Sequence, residues 1–146
     1  MNFKSLLTAT LLLPAFMAVA AAADLKLEAQ LVWGTSEAKS PDPKHKSVDA
    51  DVRHKLASLP LKWSNYFEVN RQKFTVAPEA TKRADLSEKC AVEVKNLGDD
   101  KVEVVLFGKG KEIWKGMQHL PRGEILILGG NAPAESAWLV TLKRIE

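Results

Sequence analysis

A chain of 146 residues with a single cysteine is long enough for one domain with its own core and excludes a disulfide-stapled scaffold. Its 21 basic and 18 acidic residues give a formal charge of +3. The signs alternate along most of the chain, as in Glu88–Lys89 and Lys109 to Glu112, which excludes the one-sided basic stripe of a nucleic-acid binder.

The first 23 residues read as a cleaved Sec-type signal peptide. Lys4 supplies the positive start, Leu6 to Val19 an apolar run interrupted by Pro14, and Ala21-Ala22-Ala23 the small residues of a cleavage site before Asp24. The apolar run is too short for the roughly 20 residues of a spanning helix. Residues 24–146 are then the mature protein, a single β-rich domain of net charge +2. It is expected in the periplasm or in the medium. No later apolar run is long enough to span, so an integral membrane protein is not expected.

Leu27, Ala29, Leu31 and Trp33 alternate with Lys26, Glu28 and Gln30, the period of a half-buried strand. Residues 35–48 form an exposed loop, with Pro41 and Pro43 blocking regular structure. Its basic stretch, Lys39 to Lys46, reads as a solvated linker. Asp49 caps a short helix carrying Val52, Leu56 and Leu59 at helical spacing, and Pro60 ends it.

Strand follows strand from there. Leu61 to Val69, Lys73 to Ala77 and Lys82 to Leu86 are rich in β-formers or bounded by turn signals. Cys90, Val92 and Val94, then Val102, Val104 and Leu106, alternate on either side of the turn Asn96 to Asp100, which predicts a hairpin. Glu112 to Leu120 comes next, after the Gly108-Lys109-Gly110 turn. Glu124 to Leu128 is apolar on both faces and reads as a central strand. Trp138, Val140 and Leu142 line one face of the last strand. Seven to nine short strands and one N-terminal helix predict a compact β-sandwich, Ig-like in the loose sense. A partly open β-barrel is the alternative. Over ten residues, Pro121 to Gly130 resembles the strand–turn segment of bacterial outer-membrane secretins, and no function is carried across from it.

Chemistry-bearing motifs are absent. There is no Gly-x-Ser-x-Gly elbow, phosphate loop or His-Glu-x-x-His helix. Cys90 shares the apolar face of its strand and reads as an inert buried thiol. His54 stands one helical turn after Asp51, and His45 in the preceding loop completes a weak metal-ligand set. No cofactor is expected. The aromatic residues carry the binding expectation, since an exposed indole anchors a sugar ring or a protein surface. Trp63, with Tyr66 and Phe67, forms the densest cluster, and Trp114 and Trp33 are further candidates. The leading expectation is an exported accessory module, without catalysis, that recognises an envelope protein or a cell-wall polymer through these anchors and its strand edges. A small hydrolase or metal-binding protein using His45, Asp51 and His54 is the alternative. A self-associating structural subunit is the third.

Overall fold

The computed structural model describes residues 23–129 and 136–146. The expected leader up to residue 22, and residues 130–135 of the loop before the last strand, lie outside the described residues. The alternating segment at the start becomes β1 (Leu25–Thr35), and it organises one sheet. It pairs antiparallel with β3 (Asn65–Val76) on one side and with β9 (Ser136–Arg144) on the other. β2 (Lys46–Ser47) and β8 (Ile125–Gly129) take the edges, giving the order β2-β3-β1-β9-β8. The second sheet is a four-strand meander of β4 (Thr81–Ser87), β5 (Cys90–Gly98), β6 (Lys101–Gly108) and β7 (Lys111–His119). Two antiparallel sheets face each other as a β-sandwich, and no barrel closes.

Strand pleating decides what each face buries. Leu25, Leu27, Ala29 and Leu31 of β1 point at the meander, meeting Val92, Val94, Val104 and Leu106 in the main core. On the opposite face, Val32 packs with Val52 and Leu56 of α1 (Ala50–Ala57), with Val48, and with Ile125 and Leu139. One sheet therefore has both of its faces covered. Asp49 stands at the helix start but makes no side-chain cap. Its carboxylate instead accepts from Arg71 at 2.6 Å.

The sequence expectation is modified at two elements. Leu61 to Val69 and Lys73 to Ala77 are one long strand, β3, starting at Asn65. Pairing to β1 runs unbroken through residues 70–73, and a bulge between Leu31 and Val32 absorbs the irregularity. β8 is buried on both faces as expected: Leu126 and Leu128 face the main core, and Ile125 and Ile127 the helix side. Yet it lies at an edge of its sheet. Burial on two faces comes from the layers above and below a strand, and it does not require a backbone neighbour on each side.

The chain crosses between sheets twice, from β3 to β4 and from β7 to β8, and both crossings lie at the same end. Polar groups close that end. Arg144 of β9 donates to the Asp100 carboxylate in the β5–β6 turn and to the Leu120 carbonyl. Asn96, 1% exposed, donates to the Val76 carbonyl across the sandwich. At the far end the described connections, β1 to β2, β4 to β5 and β6 to β7, each stay within one sheet.

Acid should loosen this arrangement. The Arg144 hydrogen bond holds the Asp100 carboxyl below the ordinary aspartate value of 3.8. A hydrogen bond from Lys143 does the same for Asp51. A carboxyl depressed in the folded state stabilises the protein above its unfolded value, and that contribution is lost as pH falls through the folded value. Thermal melts are expected to show Tm declining below about pH 4. Arg144→Met should lower Tm at neutral pH and give a shallower acid decline.

Candidate functional site

The end of the sandwich without crossings holds a cavity of about 280 Å³. Leu31 and Trp33 of β1, Val69 of β3 and Trp138 of β9 line it from one sheet, and Cys90 and Gly108 from the other. Trp33 and Trp138 stand directly opposite each other in the β1–β9 register. Both therefore continue the inward face that begins with Leu27 and Leu142. A Cβ at Gly108 would crowd Ile113 at 3.2 Å and meet Trp138 at an ordinary contact distance of 3.8 Å. Ser87, Lys89, His45 and Lys109 complete the lining.

Of the sequence-expected binding residues, Trp33 belongs to this cavity. Trp63 and Tyr66 do not line it. They pack on Gly34, whose missing Cβ would sit 3.2 Å from each ring, and Tyr66 joins the helix-side cluster. Burial pushes the Tyr66 phenol above its ordinary value. Its hydroxyl donates to the Trp63 carbonyl at 3.3 Å. The Trp63 indole nitrogen is itself buried with no acceptor among the described residues. The aromatic cluster seen in the sequence divides in three dimensions, because successive strand residues face opposite ways. Tyr66 pairs with Gly34, whereas Phe67 stands opposite Trp33. Trp114 lies flat over Gly116, where a Cβ would come within 2.7 Å of its ring, and packs against the core.

The histidines and Asp51 are not gathered into a ligand set. His45 Nδ1 lies 2.6 Å from Ser40 Oγ, and its Nε2 is 3.8 Å from the Asp42 carboxylate. Asp51 is taken by Lys143, and His54 is exposed on the helix. No group of three or more His, Cys, Asp or Glu suited to a metal ion occurs among the described residues. No described helix is long and apolar enough to cross a membrane. Lys44 and Lys46 of the basic loop line a separate polar cleft with Glu68 and Arg71.

Cys90 is the thiol of the cavity, and its surroundings disarm it. It is 5% exposed, and burial pushes its thiol up to about 11. With a proton on sulfur at neutral pH and no hydrogen bond from the thiol to a base among the described residues, the group packs rather than attacks.

No sequence signal local to any one element marks this cavity. Leu31, Val69 and Cys90 each read as core residues, and they converge only through sheet pairing. Compared with models of protein families, with curated proteins and with solved structures, the chain matches none of them.

Two measurements check these assignments. Gly34→Ala forces a methyl between two rings and should destabilise the domain by about 1–3 kcal/mol in urea melts. Labelling of Cys90 by a small thiol reagent should rise about tenfold per pH unit up to about pH 10. A plateau near the ordinary thiol range would refute the buried environment.

Proposed function

We propose that the domain is an exported binding module without catalytic chemistry, and that recognition occurs in the Trp33–Trp138 cavity. The observation that carries this reading is the cavity itself: apolar, with two indoles side by side on one wall and a buried thiol on the other. Ligand sites in proteins are concave and mostly apolar, with few polar groups at their margins, and this one fits that description. The export half of the reading rests on Lys4, the run Leu6 to Val19 and the alanines before Asp24. The expected envelope partner, protein or polymer, would then engage the module at this end and not at Trp63, Tyr66 or Trp114. The hydrolase or metal-binding alternative gains no support, because His45 and Asp51 are held by separate partners and His54 is exposed on the helix. Self-association has a candidate surface on β7, an edge strand where Ile113 and Met117 are exposed.

The test compares the exported protein with a Val69→Trp variant. Val69 is half-buried, so the larger ring has the cavity to enter. Protein recovered outside the cytoplasm should begin at Asp24. It should bind the neutral fluorophore naphthol at one site, read by polarisation. Val69→Trp should keep a similar Tm and lose that site. Equal binding by both proteins would remove the cavity from the reading. Sedimentation of the same samples should give a monomer mass; a mass rising with concentration would move the function to β7.

A further inference from the structure

We propose that the cavity takes a free medium-chain carboxylate, with the apolar chain lying against Trp33 and Trp138, between them and the facing sheet, and the carboxylate against Lys89 and Lys109. This rests on the reading of the cavity as a binding site and adds the chemical class of its ligand.

Size sets the first limit. At about 30 Å³ for each water-sized group, 280 Å³ holds roughly nine. That is the chain of an octanoate-like acid, and too little for a two-chain lipid or a folded peptide. The walls set the second. Leu31, Val69 and the two indoles offer contact area and few hydrogen-bonding groups, so the occupant is apolar over most of its length.

Charge sets the third, and it is the most selective. The charged side chains lining the cavity are two lysines, and no carboxylate lines it among the described residues. The lysines are neighbours by construction, since the Lys109 backbone N–H donates to the Lys89 carbonyl at 2.8 Å, tying the β6–β7 turn to the β4–β5 turn. Neither ammonium has an ion-pair partner among the described residues, unlike Lys26, Lys55, Lys73, Lys115 and Lys143. Glu88, adjacent in sequence, does not line the cavity; it lines a neighbouring small cleft with Arg83, Asp85 and Lys89. Lys109 also occupies a turn position at φ 52°, followed by Gly110 at 76°. Asn, Asp or Gly fits such a two-residue hairpin turn with less strain, yet a cation stands there. Two adjacent, unpaired cations at the edge of an apolar cavity repel each other, and an anion between them relieves that repulsion.

Calorimetric titration of the mature protein with octanoate, octanol and octyltrimethylammonium, all below micelle formation, tests this. Octanoate is expected to bind one site and to slow Cys90 labelling. The ammonium should bind at least about tenfold more weakly. The double variant Lys89→Gln/Lys109→Gly should lose that preference while keeping octanol binding; glycine suits the positive φ, so the turn is preserved. Rising salt should weaken octanoate and leave octanol unchanged. Equal binding of the two charged ligands would overturn the anionic head and leave the cavity standing as a site. Failure of all three ligands, with Cys90 labelled at an unaltered rate, would overturn both readings. Octanoate binding that survives in Val69→Trp, or association only with anionic vesicles and not with the free acid, would overturn the proposal as well.

Discussion

Everything in this fold depends on β1 having neighbours in every direction. It is hydrogen-bonded along both edges, to β3 and β9, and covered on both faces, by the meander and by α1 with its flanking loop. A strand so enclosed cannot slip by one residue, because a slip would exchange Leu27 and Leu31 with Glu28 and Gln30. That fixed register carries the site, since Trp33 faces Trp138 only if Leu27 and Leu142 already share the core. Fixing one strand fixes the Trp33–Trp138 wall of the cavity, some distance along the same pleat.

Enclosure also forces a solution for the polar residues of the helix-facing side. Glu28 and Gln30 are buried there and need partners. Gln30 Nε2 donates to Glu28 at 3.0 Å, and Arg71 of β3 reaches Glu28 at 3.3 Å, Asp49 at 2.6 Å and also Glu68. Burial works against its charge, but hydrogen bonds to Glu68 and Asp49 and the field of Glu28 prevail, so its guanidinium is held still more firmly protonated than usual. Buried charges of this kind are costly to orphan and contribute modestly when paired. Their clearer effect is to choose one docking of α1, since Asp49 precedes the helix and is spent on Arg71 rather than on a cap.

Much of the architecture was legible because alternation is a local property. β1, β5, β6 and the inward face of β9 follow from apolar residues at every second position. The division of β3 into two and the placing of β8 at the centre of a sheet went astray for a shared reason. Composition reports how a residue is buried, whereas strand continuity and sheet order depend on partners distant in the chain. The site was the least legible part. Trp63, Tyr66 and Phe67 look like a cluster because they are close in sequence, but pleating sends Tyr66 and Phe67 to opposite faces. Trp33 and Trp138 are 105 positions apart and meet through a register that no single segment encodes. Lys109 next to Gly110 was a visible turn signal, although nothing local connected it to Lys89 or to a cavity.

The two ends of the sandwich also differ mechanically. Both crossings, together with the Arg144 and Asn96 bonds, fasten the sheets at one end, whereas the bond from Asn70 to the Leu86 carbonyl ties them beside the cavity. A strand of nine residues spans about 30 Å at roughly 3.4 Å per residue. A splay of about 2° at the end with the crossings would widen the gap between Trp33 and Gly108, on facing sheets, by about 1 Å. The width of the cavity is thus set by an angle at the opposite end of the domain. A substitution at Arg144, far from any ligand, would alter grip as well as stability.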